Sequence, residues 1–350
     1  MKTKNLATMY AIISAALYAV SVPASKVLLG FIDPTMLAAF LYLGAGIGLF
    51  FYGAVSKVSG KATIEAPLTR KELPYTIGMI VLDIIAPILL MFGLKYSTSA
   101  NASLINNFEI VATSLIALFV FKEVISKRLW IAIALVTVAS IILTFEGAGS
   151  FDFNIGSLLV LGASLCWGFE NNCTKMMSSK SSVEIVVLKG IFSGLGSLIV
   201  AFILSEQLPD IVWLLAASLL GFVSYGLSIH LYILAQKDLG AAKTSAYYSI
   251  APFLGVLFGL LIGERPAVHF YVALAIMAIS TWIMIKDSIQ LQHTHEHSHI
   301  HCHKHKHGKV VHEHEHTHTH SHEHIHLAGE DIELHLHSHK SLPHNHVHST

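Results

Sequence analysis

The sequence predicts an all-α integral membrane protein: ten transmembrane helices as two inverted five-helix repeats, followed by a disordered tail. Three observations predict it. Hydrophobic residues make up 53% of the 350 and charged residues 13%, with a mean hydropathy of +0.62; a soluble domain carries roughly a quarter charged residues. Nearly to residue 286 the chain is a succession of apolar runs of ~20 residues, each enough to cross ~30 Å of hydrocarbon. From His293 the composition changes abruptly to histidine alternating with other residues.

The spans fall at 6–28, 35–56, 73–94, 99–121, 129–146, 155–177, 183–204, 211–235, 241–263 and 267–285. Each must be helical, because hydrocarbon offers no water to satisfy backbone N–H and C=O groups, and the runs are too long and uniform for barrel strands. Leu6 to Leu28 lacks a small-residue cleavage site before a polar start, so no cleaved signal peptide is expected. Cys166, Cys173 and Cys302 make no disulfide framework. A net charge near zero gives no ground for a nucleic-acid partner.

The loops are short and alternate in charge. Lys2 and Lys4, then Lys57, Lys61, Arg70 and Lys71, then Lys122, Lys127 and Arg128, then Lys180, Lys237 and Lys286 fall on one side. The other side carries Asp33, Lys95, Glu146, Asp152, Glu206, Asp210 and Arg265. The positive-inside rule places both termini in the cytoplasm, which requires an even number of spans.

The two halves read alike. Ser103 to Glu123 (SLINNFEIVATSLIALFVFKE) and Thr244 to Glu264 (TSAYYSIAPFLGVLFGLLIGE) both run from small polar residues through an apolar helix to a glutamate. YAVSVPASK, ending at Lys26, matches WGFENNCTK, ending at Lys175. Five spans per half is an odd number, so the halves, 6–146 and 155–285, insert in opposite directions. Inverted repeats are a transporter architecture, with substrate bound between them near mid-membrane.

These residues resemble the EamA-type repeat of the drug/metabolite transporter superfamily. The resemblance rests on the small-residue entries to the fourth and ninth spans, Pro252, the Gly263–Glu264 ending, and the Trp167–Gly168…Thr174–Lys175 run. It covers about residues 6–285, twice. The second repeat fits better, since Val111 stands where the match is Pro252 and Tyr18 where it is Trp167. The resemblance implies ten helices, cytoplasmic termini in the plasma membrane, and secondary transport, usually export of small metabolites. The breadth of the family leaves the substrate open.

An ionisable residue near a helix centre costs roughly 2.5–3.5 kcal/mol, so it needs a partner, a wet cavity or a proton. Asp83 sits mid-span, four residues before Pro87. Ser99, Ser103, Asn106, Glu109 and Thr113 follow steps of three and four, so they form one continuous polar stripe. Glu170 lies on the sixth span beside Asn171 and Asn172, and His230 within the eighth. Facing a central cavity, Asp83, Glu109 and Glu170 would bind a cationic group or carry a coupling proton; otherwise they make interhelical hydrogen bonds. Tyr248, beside Tyr247, either lines that cavity or anchors at the interface. Lys26 and Lys175 snorkel at helix ends, and Glu123 and Glu264 close the repeats' loops. Asp83, Asn106, Glu109, Glu170, Asn171, His230 and Tyr248 are thus the candidate solute or coupling-ion residues. No nucleophile–base pair or HExxH motif suggests an enzyme, and transport itself needs no cofactor.

The tail, 293–350, has few apolar residues and is expected to be disordered without a ligand. Its candidate metal ligands are His293, His295, His297, His299, His301, His303, His305, His307, His312, His314, His316, His318, His320, His322, His324 and His326. So many imidazoles suit divalent zinc, nickel or cobalt without a spacing that selects one. The chain therefore reads as a secondary transporter of a small polar solute in a lipid bilayer, its tail binding transition-metal ions and its oligomeric state open, a homodimer included. The rivals are a divalent-metal transporter and a non-transporting membrane metal sensor.

Overall fold

A computed structural model describes residues 2–58, 66–121, 126–144, 154–177, 180–239, 244, 247–307 and 310–325. The helices in chain order are α1 (Lys2–Ala19), α2 (Ser21–Leu28), α3 (Pro34–Val58), α4 (Leu73–Tyr96), α5 (Ser99–Ile105), α6 (Phe108–Phe121), α7 (Lys127–Thr144), α8 (Ile155–Met177), α9 (Ser182–Ile203), α10 (Ile211–Gly221), α11 (Ser228–Leu239), α12 (Ala251–Leu261) and α13 (Val268–Leu291). A π-helical turn, Phe222–Leu227, joins α10 to α11. The polar starts capture their own N–H groups: Thr98 accepts from Asn101 at the head of α5, and Ser181 from Glu184 at the head of α9.

Among the described residues, eight segments are long and apolar enough to cross a membrane. They coincide with expected spans one to five, seven, eight and ten. The sixth, α8, is long enough but is diluted by Glu170, Asn171, Asn172 and Lys175. The ninth is described as α12, only 11 residues. Leu6, Phe51, Phe119, Ile199, Leu215 and Val268 are among many large apolar side chains left exposed, the surface a lipid-embedded protein presents.

The earlier and later helices interlock rather than sit side by side. α4 packs along α8, α3 along α9 and α10, α1 along α11, α5 along α12, and α6 along α8. With no hydrophobic drive between helices in lipid, such contacts depend on small residues that let backbones approach. Gly44 meets α10, where an added Cβ would sit 2.0 Å from the Ser218 carbonyl oxygen; on Gly221 it would sit 1.9 Å from that of Leu41. Replacing Gly221 with Val should therefore sharply reduce the yield of folded protein, whereas Gly162→Ala, which meets only a flexible leucine tip at 3.3 Å, should leave it unchanged. Fluorescence-detected gel filtration of the two variants checks this.

The tail departs from expectation and forms a separate unit. Where disorder is expected, β1 (Gln292–His307) and β2 (Val310–Ile325) pair antiparallel. The strict alternation of histidine is the period of a strand, and it outweighs the low apolar content that suggests disorder. An isolated two-stranded hairpin is marginal in water. The register sets histidine opposite histidine, from His293–His324 to His305–His312. His326 and the rest of the tail after it, like Glu123, lie outside the described residues.

Candidate functional site

Three helix interruptions meet at one point. The fourth span is not one helix: α5 ends at Ile105, Asn106 and Asn107 form a turn, and α6 restarts at Phe108. Asparagine competes with the backbone for hydrogen bonds and suits such a break. The expected continuous stripe is thereby split, with Ser99 and Ser103 on α5 and Glu109 and Thr113 on α6. The ninth span breaks at Ser249–Ile250, so Pro252 stands in the first turn of α12, where proline is tolerated, rather than mid-helix. In the repeat alignment Asn106 and Asn107 match Tyr247 and Tyr248, next to that second break. The first span is interrupted at Val20, between α1 and α2. A cavity of ≈ 10 Å³ opens where they meet, lined by Tyr18, Ala19, Val22, Ser103, Asn106, Ala251, Pro252 and Gly255. It is roughly the size of one water molecule. Ser103 Oγ and Asn106 Oδ1 are buried without a hydrogen-bond partner.

An ionic triad lies within the same bundle. Lys189 Nζ on α9 is 3.1 Å from Asp83 Oδ2 on α4 and 3.0 Å from Glu170 Oε1 on α8. Asp83 Oδ1 accepts from the Tyr42 hydroxyl at 2.9 Å, and that hydroxyl accepts from Trp167 Nε1 at 3.4 Å. Thr174 Oγ1 donates to Glu170 Oε1. Asp83 is fully buried and Glu170 nearly so. Sequence reasoning missed Lys189. The available signal was a lysine nearly two turns inside an apolar span, with two carboxylates elsewhere that need a cation.

Glu109 stands apart from the triad. Its Oε1 accepts from Asn171 Nδ2 at 2.6 Å, and Asn171 also reaches Thr113 Oγ1 at 3.3 Å, joining α6 to α8. The rings of Tyr18, Tyr42, Tyr225, Tyr232 and Tyr248 lie in the same bundle. Those rings form a chain: Tyr232–Tyr248 at 5.1 Å, Tyr248–Tyr18 at 5.7 Å, Tyr18–Tyr225 at 5.9 Å and Tyr225–Tyr42 at 5.5 Å between centroids. Tyr248 therefore faces inward, while Tyr247 is exposed. His230 joins neither group; its ring lies edge-on to Tyr52 at 5.0 Å.

Two charged residues thought to sit at helix ends instead hold helix termini together. Lys26 Nζ donates to the Leu94 carbonyl and, at 2.7 Å, to that of Ser97, so it closes the C-terminal end of α4 rather than snorkelling. Glu264 accepts from the Ser99 and Ala100 backbone N–H groups at 2.7 and 2.8 Å, capping α5 from the other half of the chain. Ser14 and Ser228 exchange hydroxyl-to-carbonyl bonds of 2.7 and 3.0 Å between α1 and α11.

A polar, ion-paired centre, enclosed by interlocked helices that break beside it and present apolar surface outward, marks a multi-pass membrane protein of the two-repeat transporter class. The chain belongs to the EamA-like transporter family, whose model matches it twice, over residues 5–145 and 154–286. It is 26% identical over 277 residues to an uncharacterized transporter of Methanothermobacter thermautotrophicus, covering 73% of this chain and 79% of that one. It is 22% identical over 273 residues to the uncharacterized transporter YyaM of Bacillus subtilis, covering 73% and 85%. A solved crystal structure superposes with a TM-score of 0.60 at 17% identity, over 81% of this chain and 97% of its own, and shows a shared fold.

Proposed function

We propose that the chain is a secondary transporter that exports a small polar solute by alternating access between inverted repeats. The observation that carries this reading is the meeting of three helix breaks at one small cavity that holds two unpaired oxygens, two of the breaks near corresponding positions of the halves. Interrupted helices are tolerated at membrane depth where the freed backbone is buried in protein or lines a wet cavity, and transporter binding sites are typically built from such breaks. The Lys/Arg alternation supports ten spans with both termini in the cytoplasm of a plasma-membrane protein. Glu109 is the titratable group of the site, and a proton or the solute gradient supplies the drive, since the sequence holds no P-loop. The test places a single cysteine at Ser103 in a background with Cys166, Cys173 and Cys302 replaced by serine. A membrane-impermeant thiol reagent should label it from either face in oriented vesicles. Labelling from one face only would refute alternating access through this cavity.

The tail supports a second property, reversible binding of several divalent zinc, nickel or cobalt ions. The histidine-to-histidine register places two imidazole-bearing residues at each of seven alternate rungs. Lys189, lying between Asp83 and Glu170, argues against those carboxylates forming a divalent-metal path, because the ammonium occupies the position a metal would take. Full-length protein equilibrated with zinc should retain several ions, and protein ending at Leu291 should retain none. Only neutral imidazole is a ligand, so retention should fall as pH drops below the ordinary histidine pKa of ~6.5. Equal metal content in the two proteins would overturn the tail's role.

A further inference from the structure

We propose that the cavity at the helix breaks seats the ammonium group of the solute, so that the substrate is a small primary amine carrying a positive charge. The inference rests on the transport reading and adds the substrate class. It begins with two unpaired oxygens, a hydroxyl and an amide carbonyl. Ser103 Oγ and Asn106 Oδ1 line the cavity, are nine-tenths or more buried, and have no hydrogen-bond partner. A buried polar atom left unpaired costs free energy; the Ser103 hydroxyl can accept or donate, and the Asn106 amide oxygen requires a donor. Its ≈ 10 Å³ fits one water or one ammonium head, and no larger group.

The surroundings select charge. The Tyr18 ring lines the cavity, and Tyr225 and Tyr248 lie within 5.9 Å of it, centroid to centroid. Aromatic faces attract cations, more so where water is excluded. α5 ends and α12 begins at the cavity, so the two helix dipoles oppose each other there and select neither sign of charge. The wider site holds three carboxylates, Asp83, Glu170 and Glu109, and one ammonium, Lys189. Lys189 lies between Asp83 and Glu170, one ammonium to two carboxylates, and Glu109 has no ammonium beside it. An anion would find no free cation among the described residues at this centre. A cation would offset part of the excess of acidic groups.

The test uses the full-length protein in nanodiscs and reads ligand-induced change in melting temperature. The probes are ethylammonium, tetramethylammonium, acetate and acetamide. Ethylammonium should stabilise the protein. Tetramethylammonium, which has no N–H, should bind about tenfold or more weakly, the loss of a charged hydrogen bond. Acetate and acetamide should have no effect. Ser103→Ala and Asn106→Leu each remove one unpaired acceptor, so they should not lower the melting temperature of the unliganded protein, yet should weaken ethylammonium about tenfold. Stabilisation by acetate or acetamide, ethylammonium binding that survives both substitutions, or no ethylammonium binding at millimolar concentration would each overturn the assignment; the last would leave the cavity a water site. Two-sided labelling at position 103 alongside any of these failures would refute the substrate class and leave the transport reading standing.

Discussion

Replacing Lys189 with methionine will leave Asp83 and Glu170 buried without a cation, and the protein will fail to accumulate in the membrane. Removing one partner of a buried ion pair costs about 3–5 kcal/mol, a large share of the 5–15 kcal/mol that holds a domain together. Here one lysine serves two carboxylates from different helices, so the cost falls on the junction of α4, α8 and α9. The triple variant Lys189→Met, Asp83→Asn, Glu170→Gln removes all three charges at nearly constant volume. It should accumulate again, because an apolar or neutral replacement of a whole buried ionic group is often tolerated. It should not transport. Membrane yield and melting temperature of the single and triple variants decide this. A single variant that accumulates and melts like the parent would show that the triad does not hold the bundle together.

Glu109→Gln should do the reverse, folding well and failing in function. The glutamine keeps an oxygen that can accept from Asn171 Nδ2, now at 2.6 Å, and fills the same space. It removes the one carboxylate of the centre that has no ammonium beside it. Accumulation should be near normal, while flux in proteoliposomes is lost or becomes independent of pH between about 5.5 and 8, the signature of a missing acid–base group. Normal flux across that range would reduce Glu109 to a hydrogen bond between α6 and α8. The contrast between Lys189 and Glu109 follows from pairing: Lys189 bridges two buried carboxylates, and Glu109 has an amide, not an ammonium, as its partner.

Sequence reading found the carboxylates but not their partner. Asp83, Glu109 and Glu170 stand out because an acid inside an apolar run is costly and rare. Lys189 is less conspicuous, since a lysine within two turns of a span end can snorkel to the interface. Only packing shows that it turns inward between α4 and α8. Asn171 was legible as a neighbour of Glu170 yet serves Glu109, because consecutive helical residues face different partners. His230 was conspicuous for the same reason as the acids, and the fold places it against Tyr52.

By itself the sequence determined the membrane class, the two-repeat family and the places where polar groups enter the bilayer. All three are carried by composition and by order along the chain, through the cost of desolvating backbone and charge. Tertiary structure alone decided that the fourth and ninth spans break, that Pro252 stands in the first turn of a helix, and that Glu264 and Lys26 hold helix ends. It alone joined Asp83, Glu170 and Lys189. Those outcomes depend on which groups in distant parts of the chain can satisfy one another. A carboxylate's partner, unlike its cost, is a property of three-dimensional neighbours.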